Sequence, residues 1–339
     1  MRRQHRLVLL ASASVAVMGS AVIGGARLAI AETGSPDAAG FISLQGENSS
    51  ISSAKVTDRY YTNGIHVGWT SPEGYAPALA GFGRTMIGEG AQRVSVSIDQ
   101  QIYTPYDTAS TNPAKSDRPY AGVLLANFTQ SVETATSRGA LSLAVGILGP
   151  SALGEEVQNG FHDLIGQKGN KGWKTQLKDE AVFGLSSQRV WRVPVGSVLG
   201  FEADAVPGLA ASLGTLRIAV EGGINLRVGS GLDRDFGAPR IRALGGGDAF
   251  RGSDGVGWYV FAGVGGQAVA RDVTLNGNTF RDATRSVKLD PLVGQAQGGA
   301  AILMFGTRLT YTQVVQTQEF KHQKGGLHQF GSLALSVRF

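Results

Sequence analysis

The sequence predicts an all-β protein: a twelve-stranded antiparallel outer-membrane β-barrel with a short helix in an external loop. Three observations predict it. The chain opens on an export signal, the segments that follow alternate apolar and polar residues with period two, and the last residue, Phe339, is an aromatic on the apolar face of the last strand.

The signal is basic at Arg2, Arg3 and Arg6, apolar from Leu7 to Ile23, and ends at the small-residue site Ala29-Ile30-Ala31. Residues 1–31 are expected to be removed and residues 32–339 to form the barrel as one domain, without linker or repeat. The Arg2-Arg3 pair lacks the flanking residues of a twin-arginine signal, so the general secretory route is expected. Four of the 31 Lys+Arg residues and none of the 26 acids fall in the signal, which leaves 27 bases against 26 acids, a balance of +1. The charge therefore points to no nucleic-acid partner. With no cysteine, stability must come from packing or from hydrogen-bonded closure, and thiol chemistry is excluded. No later run is long and apolar enough for a transmembrane helix, but a barrel strand needs only about ten alternating residues to cross.

Strands are expected over 38–49, 61–71, 92–104, 120–132, 139–149, 180–192, 197–209, 213–228, 256–271, 290–304, 306–320 and 327–339. The last shows the pattern best: Leu333, Leu335, Val337 and Phe339 face one way, and Ser332, Ala334, Ser336 and Arg338 the other. Pro207 and Pro291 weaken the seventh and tenth. Alternation alone also fits a secreted sandwich. The signal, the terminal aromatic and the 49 glycines at strand bends favour the membrane barrel. An even strand number puts both termini on the periplasmic side, so the connections near 50–60, 105–119, 150–179, 209–213, 272–289 and 321–326 fall at the external mouth. Those near 72–91, 133–138, 193–196 and 229–255 fall in the periplasm, two of them longer than such turns usually are.

One external connection reads as a helix, from Pro150 to Gly166. Leu153, Val157, Phe161, Leu164 and Ile165 form an apolar stripe expected to dock, while Gln158 and His162 lie one turn apart on a flanking polar line. A lone histidine on such a helix is more often structural than catalytic, so its neighbours decide. Parity brings to the same mouth Glu47-Asn48-Ser49, Asp58-Arg59-Tyr60-Tyr61-Thr62-Asn63-Gly64, Asp117-Arg118-Pro119-Tyr120-Ala121-Gly122 and Lys178-Asp179-Glu180. Each alone reads equally as turn chemistry.

Together with Gly149-Pro150, Gln158, His162, Lys171-Gly172-Trp173 and Gln176-Leu177, these motifs resemble the outer-membrane lipid A 3′-O-deacylase family, from about Phe41 to Phe339. The resemblance implies a twelve-stranded monomeric barrel in the outer membrane of a Gram-negative bacterium. It also implies calcium-dependent removal of the 3′-linked acyloxyacyl group of lipid A, the lipid anchor of lipopolysaccharide. His162 matches the family's general base, and Asn48 and Thr62 match polar residues required for activity, with turn chemistry at the first hairpin as the alternative. Arg118 and Lys171 are candidates for gripping phosphate or acidic sugar, or else solvated rim charges. Trp173 suits an interfacial aromatic belt.

One position departs from the pattern. The family has Glu-Asn-Asp where this chain has Glu47-Asn48-Ser49, and a neutral serine is a weak ligand for calcium. Metal ligation would fall to Ser49 and Glu47, with Asp58 or Asp117 as further carboxylates. Ser49 could instead be a nucleophile served by His162 and Asn48. Two readings stand beside the hydrolase: a catalytically silent barrel with a structural or lipopolysaccharide-binding role, which Ser49 favours, and a channel, suggested by the inward charges Arg93, Asp99, Arg217, Glu221, Arg227 and Arg338. Those charges could equally neutralise one another and plug the barrel.

Overall fold

The computed structural model describes residues 36–50, 58–241, 248–282 and 285–339, so the expected signal over residues 1–31 lies outside the described residues. The strands are β1 Phe41–Asn48, β2 Tyr60–Thr70, β3 Ala91–Thr104, β4 Ala121–Glu133, β5 Ser137–Leu148, β6 Glu180–Trp191, β7 Val193–Val198, β8 Phe201–Gly214, β9 Arg217–Ser230, β10 Gly257–Asp272, β11 Leu292–Met304, β12 Thr307–Gln316 and β13 His328–Arg338. All pairings are antiparallel, and β1 with β13 and β6 with β8 close the sheet. Val190 pairs with Gly208 and Val193 with Ala205, one uninterrupted register, so β6 and β7 are halves of a single stave broken at Arg192. The barrel thus has twelve staves, as expected from the alternation.

The seventh expected strand, 197–209, is displaced: β8 runs on to Gly214. Pro207 does not end it because it lies opposite the break at Arg192, where the ladder is already interrupted and a strand tolerates proline. The mouth connection expected at 209–213 is accordingly the tight turn between Gly214 and Arg217.

The faces settle barrel against sandwich. Ile42, Leu44, Val67, Val96, Ile98, Leu143, Val145 and Leu333 are exposed, whereas the alternating Ser43, Gln45, Glu47, Asp99, Arg138 and Ser332 are buried. A soluble sandwich would bury the apolar set; the reverse is the outer-membrane pattern, apolar toward lipid and polar toward the lumen.

The inward charges are paired. Arg93 and Arg338 share Asp37, Arg217 meets Glu221 at 3.4 Å, and Arg227 holds both Asp204 and Asp235. The second long periplasmic connection is not a peripheral loop. Its Asp235 bonds Arg227, Arg308 and the Tyr259 hydroxyl, its Pro239 carbonyl accepts from Gln45, and its Arg240 and Ile241 reach Glu47 near the far end of β1. It is a plug folded back through the lumen. The lumen keeps a cavity of about 320 Å³ between the plug and the wall.

Candidate active site

The helix α2, Gly154–Leu164, lies at the end of the barrel opposite the termini; helix α1, Ala80–Met86, lies at the terminal end. A short turn over Pro150–Ala152 leads into α2, and Gly166, at φ 71°, ends it in the left-handed region that suits glycine. Gln100 of β3 donates to the Ala152 carbonyl at 2.7 Å. At Gly154 a Cβ would stand 2.9 Å from the Trp173 ring and 3.0 Å from the Gly122 Cα, so only glycine lets the helix start this close to β4. On β3, Val96 and Ile98 face lipid, and the next residues on the same outward line, Gln100, Ile102 and Thr104, are buried. Helix and turn therefore cover the outside of the wall, not the lumen.

The side chains that α2 turns to the wall are Gly154, Gln158 and His162. The expected docking stripe is corrected here: Leu153, Phe161, Leu164 and Ile165 are exposed, and only Val157 packs inward, against Ile102, Tyr120 and Trp173. Trp173 is likewise no belt residue. It is fully buried, its ring 4.8 Å from that of Tyr120.

His162 is 6% exposed, with Nε2 2.5 Å from Asp58 Oδ2 and Nδ1 3.1 Å from the Lys168 carbonyl oxygen. Both ring nitrogens are thus taken up by Asp58 and Lys168, not by Ser49. Asp58 stands just ahead of β2, separated from it by Arg59 and by the turn at Tyr60, a non-glycine residue at φ 66°. A bulge follows: Tyr61 pairs with Tyr103 and Asn63 with Ile102, leaving Thr62 as the extra residue. Bulges re-aim side chains, and here the Thr62 hydroxyl meets Thr104 Oγ1 at 2.8 Å. Thr104 in turn donates to the Asp58 carbonyl at 3.0 Å, so Thr62 supports the backbone that carries Asp58.

Gln158 has an oriented amide. The Trp173 indole N–H can only donate, and it reaches Gln158 Oε1 at 3.2 Å, which leaves Nε2 as the opposite arm. That Nε2 is buried and has no partner among the described residues. A buried donor without an acceptor is costly, and this one lies one turn from His162 on the wall-facing line.

The remaining sequence candidates separate. Asn48 lies opposite Asn63, and its Oδ1 accepts from the Ser50 N–H at 2.6 Å, an Asx turn. Ser49 is fully buried, and its N–H donates to the Thr62 carbonyl at 3.0 Å. Glu47 faces the lumen, with Tyr61 at 2.7 Å, Gln45 at 3.0 Å and Arg240 at 3.4 Å, and so belongs to the plug rather than to a metal site. Arg118 is not a rim cation. Its guanidinium is buried over the Tyr103 ring, 2.5 Å from Glu319 and 2.7 Å from Thr274, with nothing left exposed for a phosphate. Lys171 does stand exposed at this end, its N–H on the Thr108 carbonyl. Asp117 caps the Tyr106 and Arg118 amides.

Calcium takes six to eight oxygens and favours carboxylates. Among the described residues no group of three or more His, Asp or Glu side chains is placed to hold a metal ion. The carboxylate bonded to the His162 imidazole among the described residues is Asp58, and the candidates Asn48 and Thr62 offer only neutral oxygens. This donor set does not fit a calcium ion.

A family profile described as Outer membrane protein LpxR matches residues 10–339. A search of curated proteins finds no match. Among solved structures, LpxR from Salmonella typhimurium superposes with a TM-score of 0.71 at 20% identity, covering 88% of this chain and 100% of that one, a likeness of fold. The β domain of the Bordetella autotransporter BrkA, at 11% identity over 89% of this chain and 99% of that one, gives a TM-score of only 0.42.

Proposed function

The chain belongs to the LpxR family of outer membrane proteins, and from that premise we propose that it is a hydrolase that removes the 3′-linked acyloxyacyl group of lipid A in the outer leaflet. The observation that carries this reading is the His162–Asp58 pair, held at 2.5 Å between α2 and the lipid-facing side of the wall. A carboxylate on one imidazole nitrogen fixes the tautomer and stabilises the cation that forms when the other nitrogen takes a proton. Asp58 holds Nε2, so Nδ1 is the nitrogen that receives the proton of the attacking water, and the Lys168 carbonyl must yield its place to that water.

Attack on an ester carbonyl puts negative charge on its oxygen, and a prearranged donor there stabilises the transition state. The unpartnered Gln158 Nε2 supplies such a donor. The resemblance implies calcium for this task, but the donor set does not fit it, and no step is assigned to the ion. Lys171 remains as a cation for the anionic headgroup.

Mass spectrometry of lipid A from cells expressing the chain tests the reading. Loss of the 3′-linked acyl groups with the wild type, and their retention with His162→Ala, is expected, with the same result in calcium and in chelator. Ser49→Asp, which restores the family's acid, is expected to make hydrolysis respond to calcium. Unchanged lipid A with the wild-type barrel inserted would favour the silent, lipopolysaccharide-binding alternative, which the poor calcium donor set also supports.

A further inference from the structure

At about 100° per residue, the side chains of α2 fall into three sectors. Gly154, Gln158 and His162 face the wall. Leu153, Val157, Phe161 and Leu164 occupy the sector on one flank, with Ile165 following just after the helix, and Glu155, Glu156, Asn159 and Asp163 the opposite flank. The apolar flank is largely bare: Leu153, Phe161 and Ile165 are each about half exposed, and Leu164 is 81% exposed. A helix free in water at a barrel mouth would not leave such a sector uncovered.

The place of the helix says what covers it. It lies against the outside of the wall, and the residues it shields on β3 are the next outward positions after Val96 and Ile98, which belong to the lipid-facing band. The bare sector is therefore continuous with the surface the membrane already covers. An amphipathic helix with an apolar and an acidic flank settles along the interface, apolar side toward the acyl chains and charged side toward water.

We propose that the apolar sector of α2 is inserted into the acyl-chain layer of the outer leaflet, so that His162, on the wall-facing side of the same helix, lies at the depth where acyl chains meet headgroups. The inference needs only the barrel in its membrane and stands apart from the ester hydrolysis.

The chain has no cysteine, so a single introduced thiol can be labelled without background. The full-length mature barrel, reconstituted in phosphatidylethanolamine–phosphatidylglycerol vesicles, is labelled with nitroxide at Leu153→Cys, Leu164→Cys, Glu156→Cys or Asp163→Cys. Relaxation by oxygen, which concentrates in the acyl layer, is compared with relaxation by a water-soluble nickel chelate. Labels at 153 and 164 are expected to respond to oxygen and to lose contact with nickel, and those at 156 and 163 to do the reverse. All four labels open to nickel would overturn the proposal. So would labels at 153 and 164 shielded from both reagents, since a protein or a second copy would then cover the sector. All four positions are exposed, and a heat-modifiable gel shift verifies that each barrel is folded. Hydrolysis plays no part in the readout, so a silent barrel would leave the result unchanged.

Discussion

The lumen and the outer wall use carboxylates in opposite ways. Inside the barrel two buried acids answer to several partners: Asp235 holds Arg227, Arg308 and Tyr259, and Glu47 holds Tyr61, Gln45 and the plug at Arg240 and Ile241. Outside, beneath α2, Asp58 has a single charged partner among the described residues, His162. Multiple charge-assisted bonds fix a buried acid and make its loss expensive. A carboxylate on one imidazole nitrogen orients the ring. The difference marks the lumen as framework, and it is the ground on which the wall under α2 is proposed as the place for chemistry.

The largest expected effect probes the framework. Asp235→Asn leaves the buried guanidiniums of Arg227 and Arg308 under-compensated and is expected to cost about 3–5 kcal/mol. It would be read as a lower midpoint for heat-modified migration, while the fraction that stays folded keeps its activity. Next, Asp58→Asn is expected to lower kcat by about 10²-fold at nearly unchanged thermal stability. An equal loss of stability in both variants would erase the distinction between the regions. A smaller effect, about 10²-fold at most, is expected of Gln158→Glu, which keeps the acceptor for Trp173 but removes the free donor. Unaltered kcat in that variant would show that Nε2 takes no part.

Alternation along the strands was enough to read the barrel, because a period-two pattern reports faces directly, and the motifs marked His162. Three things were hidden. The stripe on α2 was read as a docking face, as it would be in a soluble protein, but on the outside of a membrane barrel the apolar environment is the lipid, so the same pattern points away from the protein. The partnership of Asp58 with His162 joins positions 104 residues apart, and no local spacing reports it. Arg118 looked like a rim cation because its motif gives no hint of Glu319, 201 residues further on.

The smallest effect tests whether pairing alone, without deep burial, makes a framework acid. At the periplasmic end Asp37 receives Arg338 at 2.6 Å, Arg93 at 2.8 Å and the Ala39 N–H at 3.0 Å, yet it stays partly open to water. Burial by itself would raise its carboxyl; the Ala39 amide and the two arginines outweigh that and hold it below its ordinary value. A lowered carboxyl contributes stability that is complete above its unfolded-state pKa, about 3.9, and is lost as the pH falls through the folded value. Asp37→Asn should therefore destabilise the barrel at neutral pH by about 1 kcal/mol or less, as solvent screening dictates. The gap from the wild type should close as both are titrated to strongly acid pH, followed by the same heat-modified migration. A gap that persists unchanged in acid would mean that Asp37 acts through packing and not through its charge.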